Sequence, residues 1–167
     1  MSVTEPERIF PPRMVKPMEQ VKPKVWPVAE PDLDELRWVV PELQKRWPLL
    51  TGDSALHWFK AAIGDRHSRF VRTKNAVGLA NFDATIKDPS PVVTENFIRA
   101  KEGYSPGEIV WIHVAFAQWA KDIGAREYVL RTDSNGLGST KEIDAALKSA
   151  FGLVTEQRMF YALRLKE

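Results

Sequence analysis

The side chains able to do chemistry are few and scattered. His57, His67 and His113 lie too far apart to read as a metal motif. The chain has no cysteine, which excludes disulfides, thiolate metal sites and a cysteine nucleophile and suits a reducing compartment. His113 stands beside an apolar helical stripe, where it reads as a hydrogen-bonded core histidine rather than a catalyst. Gly136 and Gly138 spell a single Gly-x-Gly, which suits a turn as well as a phosphate loop. The six tryptophans fall mostly at helical core spacing and read as packing, not as a stacking platform. What chemistry there is must therefore come from carboxylates, hydroxyls and backbone amides, and from the elements that place them.

Those elements are organised around residues 105–133, SPGEIVWIHVAFAQWAKDIGAREYVLRTD. Ile109, Ile112, Phe116, Trp119 and Ile123 recur at spacings of three and four, the stripe of an amphipathic helix lying on a core. Ser105 is a good N-cap, Pro106 falls at the first helical position, and Glu108 completes a Ser-x-x-Glu capping box. Gly124 supplies the left-handed residue that ends the helix. Tyr128, Val129 and Leu130 then form a short buried strand. A helix feeding a strand in this way is half of a βαβ unit, so a parallel partner strand should precede it, and residues 91–98 (PVVTENFI) fit.

Upstream, residues 24–28 (KVWPV) read as an edge strand, because Pro27 cannot donate to a ladder. Leu33, Leu36, Val40, Leu43 and Trp47 mark one helical face, which Pro41 should kink or split. Thr51 to Ser54 form a turn and cap, and Leu56, Phe59 and Ile63 mark a short second helix ended by Gly64. Residues 68–85 read as a hairpin turning at Lys74 and Asn75, and 87–90 link it to the next strand. After the central unit, Ser139 and Glu142 cap a helix over 143–151, Gly152 ends it, and RMFYALRL closes the chain as a strand. The predicted order is β-α-α-β-β-β-α-β-α-β, an α/β (α+β) class mixed sheet with helices on both faces.

The 167 residues suffice for one domain with a sizeable core, and the 44% hydrophobic and 28% charged fractions are ordinary for a globular chain. No apolar run approaches the ~20 residues of a membrane span and no signal peptide opens the sequence, so the expectation is a cytoplasmic or virion-associated protein that is not secreted. Net charge is only +2, and it lies in the first 24 residues. Arg8, Arg13, Lys16, Lys22 and Lys24 there outnumber Glu5, Glu7 and Glu19, and the rest of the chain is neutral. With Pro6, Pro11, Pro12, Pro17 and Pro23, residues 1–24 read as an extended basic arm preceding a domain over 25–167. Ile9, Phe10, Met14, Val15 and Met18 make it more apolar than a solvated tail requires. It either drapes on its own domain or orders against another subunit, with Ile9, Phe10, Arg13 and Met14 as the partner-binding candidates. Five basic residues mixed with three acidic ones are a poor footprint for nucleic acid.

Over residues 24–166 this pattern resembles the GNAT superfamily of N-acetyltransferases. The resemblance is carried by KVWPVAEPDLDEL, FAQWAKDIGAREYVL and ALKSAFGLV. The run VVTENFI…WAKDIGAREYVL…DSN is also similar to small GNAT-like proteins encoded in bacteriophage genomes. The resemblance implies an acetyl-CoA site where the sheet splays open between the strands flanking the central helix. It implies a glycine-rich turn at the start of that helix, whose N–H groups hold the pyrophosphate. The implied cofactor contacts are Ile98, Lys101, Gly103, Tyr104, Ser105, Gly107 and Asn135. Glu95 matches the place of the family's general base; the plain alternative is a glutamate facing solvent from a strand.

The chain departs from the family pattern at two points. The turn reads KEGYSPGE, with Gly103 and Gly107 four apart, no amide donor at Pro106, and Glu108 at the expected place of the pyrophosphate. The tyrosine that usually protonates the leaving thiolate is missing from ALKSAFG, where Lys148 falls nearest, and Tyr104, Tyr128 and Tyr161 lie elsewhere. These departures favour a GNAT-fold protein with a degenerate acetyl-CoA site, a structural or accessory component of an assembly such as a phage virion, docked on protein subunits through its arm. The alternative is an active acetyl-CoA-dependent N-acetyltransferase with Glu95 as base.

Overall fold

Pro41 decides how the chain enters its fold. The computed structural model describes residues 22–84, 91–130 and 140–151. Within it, the expected first helix is split into a 3-10 turn at Glu30–Asp34 and a short helix, α1, at Val39–Gln44. The Arg37 carbonyl, which an N–H at position 41 would have met, instead accepts from Val40 at 3.2 Å. Pro41 thereby sits in the first turn of α1, where a missing N–H is harmless. The break also turns the helical face: Val39, not Val40, is the fully buried residue beside Leu36 and Leu43.

The remaining elements follow the predicted order up to the last helix. They are β1 (Trp26–Pro27), α2 (Gly52–Gly64), β2 (Ser68–Arg72), β3 (Ala76–Asp83), β4 (Val92–Ala100), α3 (Pro106–Asp122), β5 (Glu127–Val129) and α4 (Thr140–Phe151). The five strands lie side by side in sequence order, antiparallel throughout except for β4 and β5, which run parallel across α3. The expected closing strand, the Gly136 to Ser139 loop, the 87–90 link and residues 1–21 lie outside the described residues.

Helices cover both faces of the sheet. On one side Leu33, Leu36, Leu43, Ala55 and Phe59 pack with Phe70, Val77, Leu79 and Phe97. On the other, Ile109, Ile112, Phe116 and Ala120 of α3 pack with Val71, Ala80, Val93 and Ile98. Helix α4 leans on α3 through Ile143 and Leu147 against Val114 and Ala117. The chain enters across α3: Lys22 Nζ lies 4.0 Å over the Trp111 ring, and Val25 joins the α3-side core. Residues 22–24, at the root of the arm, therefore rest on the central helix.

A bulge in β4 assigns its side chains to these two cores. Ala80 pairs with Glu95 but Leu79 with Phe97, so Asn96 is an extra residue on β4. Strict alternation from Val93 would put Phe97 on the α3 side. With the bulge, Phe97 joins the opposite core and Ile98 faces α3. Arg46, just past α1, donates to the Asn96 carbonyl at 3.3 Å, and the Asn96 amide bonds the Asn81 side chain, holding the bulge from the α1 side.

Close approach of α3 depends on Gly78. A Cβ at this position would stand 2.8 Å from Ile112 Cγ2 and 3.0 Å from Phe116 Cζ. Neither atom is the tip of a flexible chain. Gly78→Ala should therefore destabilise the fold by about 2 kcal/mol through overpacking; urea denaturation checks it, and an unchanged midpoint would contradict the packing described.

Candidate functional site

Among the described residues, the parallel pair that the sequence predicted is short. β5 pairs with β4 only from Val92 to Thr94, with partners Glu127, Tyr128 and Val129, whereas β4 runs on to Ala100. Glu95 is the residue at which the two strands part, and the bulge follows it directly. Its side chain is fully buried on the α3 side, which corrects the reading of Glu95 as an outward strand residue. The reason is that β4 is an interior strand, covered by α3 on that face.

His113 faces it there, and Tyr128 in turn holds His113. His113, two turns into α3, is 3% exposed and places Nε2 3.6 Å from Glu95 Oε1. Its Nδ1 lies 2.7 Å from the hydroxyl of Tyr128 on β5. Burial depresses the imidazole to a pKa of about 4, so it is neutral at pH 7. Burial, reinforced by the Glu95 charge, pushes the Tyr128 phenol well above its usual range. A phenol that keeps its proton donates to Nδ1, and hydrogen-bond logic then puts the imidazole proton on Nε2, facing Glu95. Sequence spacing reads His113 as a bonded core histidine, and it is one. The partnership with Glu95 and Tyr128 joins three elements and has no local signal; the only clue is that three polar residues fall on otherwise apolar faces.

The neutral histidine makes a pH prediction. The unfolded histidine titrates near 6.5 and the folded one near 4, so the unfolded state binds the proton first as pH falls. Stability is thus highest above about pH 6.5 and declines toward pH 4. About 2 kcal/mol should be lost between pH 7 and 5 on this account. Urea unfolding at the two pH values checks it: His113→Gln should remove most of that difference, and an unchanged difference would contradict the buried neutral imidazole.

The turn before α3 is built from its own bonds. Tyr104 N–H donates to the Lys101 carbonyl at 3.2 Å, closing a turn whose third residue, Gly103, has φ +92. Lys101 N–H donates to Asn75 O at 2.9 Å, and Gly103 O accepts from Asn75 Nδ2 at 3.3 Å. Glu108 Oε2 accepts from Ser105 N–H at 2.7 Å, as the capping box requires. Its other oxygen turns into the β2–β3 corner, accepting from Thr73 Oγ1 at 2.6 Å and Asn75 N–H at 2.8 Å. Burial alone would raise this carboxyl, but the hydrogen bonds outweigh it and hold it below the usual range. Glu108 therefore does not stand at the mouth of the turn. Its carboxylate is buried and clamps the hairpin to the helix, because Asn75 and Thr73 offer more donors than the solvent side of α3 does.

The candidate cofactor residues sort accordingly. Lys101, Gly103, Tyr104, Ser105 and Gly107 come together in this one turn. The amides of Lys101, Tyr104 and Ser105 are engaged within the protein and Pro106 has none, so Gly103 and Gly107 are the glycines whose amides remain to meet an anion. Gly107 is half-buried, with Pro23 Cγ 3.4 Å from where a Cβ would lie. Ile98 lies apart from the turn, buried between Gly78 and α3. Lys148 pairs with Asp144 at 3.0 Å on the exposed side of α4. Asn135 and the partner candidates Ile9, Phe10, Arg13 and Met14 lie outside the described residues. Among the described residues, no cluster of three metal-ligating side chains occurs and no helix is long and apolar enough to cross a membrane.

No protein-family model and no curated protein sequence matches the chain. Solved structures do. One is a probable acetyltransferase, with TM-score 0.61 and 11% identity, covering 86% of this chain and 99% of its own. Another is the aminoglycoside N-acetyltransferase AAC(6')-Iy bound to a CoA-containing bisubstrate analogue, with TM-score 0.55, 20% identity and 85% and 98% coverage. A third is a transcriptional regulator from Bacillus halodurans, with TM-score 0.59, 16% identity and 86% and 99% coverage. At these identities the likeness is one of fold, and it spans nearly the whole of each neighbour.

Proposed function

From a GNAT-type fold whose central strands part at a buried carboxylate, we propose that this chain is an acyl-CoA-dependent N-acetyltransferase, with Glu95 as general base. The observation that carries this reading is the Glu95–His113–Tyr128 network at the point of parting. A buried carboxylate beside a histidine is costly to a core and adds little to packing, and such groups concentrate at working sites. The inward turn of Glu108 supports it further, since no carboxylate then opposes a phosphate at the head of α3.

The residues fit the cofactor in outline. The stretch of β4 past Thr94, which pairs with no described residue of β5, suits an extended pantetheine arm, and the Gly103 and Gly107 amides, next to the positive end of α3, suit its pyrophosphate. Acetyl-CoA would supply a thioester whose carbonyl carbon an amine attacks. The chain's part is to bind and orient the two and to take the amine proton at Glu95, directly or through one water. Release of free CoA thiol, followed with a panel of primary amines, tests the proposal. Acetyl-CoA-dependent and amine-dependent release supports it; none with any amine would count against it.

A second reading is favoured by one observation: most amides of the 101–108 turn are engaged within the protein. In that reading the chain is a non-catalytic component of a larger assembly, docked on protein subunits through its basic, proline-rich arm. Removing residues 1–20 discriminates. Loss of a co-purifying partner from a folded chain supports docking, while unchanged thiol release supports the enzyme.

A further inference from the structure

We propose that His113 and Tyr128 are positioning residues for Glu95: the Tyr128 hydroxyl, hydrogen-bonded to Nδ1, turns the His113 ring so that its Nε2 faces the carboxylate just beyond hydrogen-bond distance and biases the orientation of the base. The proposal rests on the acetyl-transfer reading and adds to it two residues that touch neither substrate nor cofactor. Its geometry is that each end of the imidazole meets a different element. Nδ1 is 2.7 Å from Tyr128 on β5 and Nε2 is 3.6 Å from Glu95 on β4. The ring itself is anchored on α3 between them, 3% exposed.

β4 and β5 are the two lips of the site, and their last paired residue on β4 is Thr94. A histidine hydrogen-bonded to one lip and facing the carboxylate of the other makes the direction of the carboxylate sensitive to their separation. The aromatic surround narrows the choice further. The Tyr128 ring packs 6.1 Å from the His113 ring and 6.3 Å from Phe116. The ring is thus held between two aromatic neighbours, and its hydroxyl meets Nδ1. Direction then follows from chemistry. A neutral imidazole that accepts at Nδ1 must donate at Nε2, so the side chain presents an N–H, not a lone pair, to Glu95.

Nitrogen-15 spectra of the histidine side chains in the full-length chain at pH 7 test the arrangement directly. The Nε2–H tautomer of His113 is expected, with the Nδ1–H form growing in Tyr128→Phe. A dominant Nδ1–H tautomer, or an imidazolium, overturns the proposal. Kinetics give the second test. His113→Phe should lower kcat by about 30-fold with the KM for acetyl-CoA unchanged, within the range of a mis-set general base. His113→Gln, whose amide can still donate toward Glu95, should recover most of that loss. Equal losses in both variants, or a loss confined to KM, overturns it. If His113→Phe fails to fold, the spectra and the glutamine variant still decide. Wild-type chain that binds acetyl-CoA but turns over no amine would end the acetyl-transfer reading and this role with it; wild-type turnover with an unaffected His113→Phe would end this role alone.

Discussion

Glu95→Gln should lower kcat for amine acetylation by roughly 100- to 10,000-fold, the usual contribution of a positioned general base. The substitution is nearly isosteric and the site is fully buried, so size is preserved and the change is chemical. Glutamine cannot accept the amine proton, and its amide can turn a donor toward His113 Nε2, which already presents one. The affinity for acetyl-CoA should hold within about twofold, because the proposed pyrophosphate contacts lie in the 101–108 turn and not at Glu95. Steady-state kinetics with the best amine of the panel, paired with cofactor binding, check both halves. Retention of kcat within threefold would remove Glu95 from the chemistry.

The largest effect on stability should come from Glu108→Ala, at about 3 kcal/mol, from buried donors left without an acceptor. The carboxylate gathers Thr73 Oγ1, Asn75 N–H and Ser105 N–H, from two segments far apart in sequence, at a site 6% exposed. Truncation leaves those donors stranded in a corner that water reaches poorly. A chain of this size should then melt roughly 6–12 °C lower. Glu108→Gln should recover only about half of the loss, since its oxygen can serve Thr73 and Asn75 while its NH2 opposes the Ser105 N–H. The clamp is also pH-sensitive. Its folded carboxyl is held below the ordinary value of 4.5, so its contribution is present above that value and fades as pH falls through the folded one. Melting curves of the three proteins decide it; a shift under 2 °C for Glu108→Ala would show that the hairpin does not depend on the clamp.

These two glutamates show where the sequence could be read and where it could not. The central helix was legible almost to the residue, because Ser105, Pro106, Glu108 and Gly124 set its ends by local chemistry and the apolar stripe set its face. The hairpin and the parallel β4–β5 pair followed from turn residues and from the short link out of α3. Burial was harder. Glu95 looks like an outward strand residue until α3 covers β4, and period-two counting misplaces Phe97 because the Asn96 bulge shifts the phase. Glu108 could be given its cap but not its second oxygen, whose partners Thr73 and Asn75 stand 33 to 35 residues away. The split at Pro41 was foreseeable, yet which of Val39 or Val40 turned inward depended on turns the periodicity does not carry. Contacts made by sequence neighbours were readable; those made across three elements were not.

On the proposed function, β4 past Thr94 receives an acyl-CoA whose phosphates rest on the turn before α3. Isothermal titration of the full-length chain with acetyl-CoA tests it most directly. A dissociation constant in the micromolar range, weakened by bulky substitution at Gly107, is expected. No heat at millimolar cofactor would contradict it and leave the fold as a scaffold for the arm.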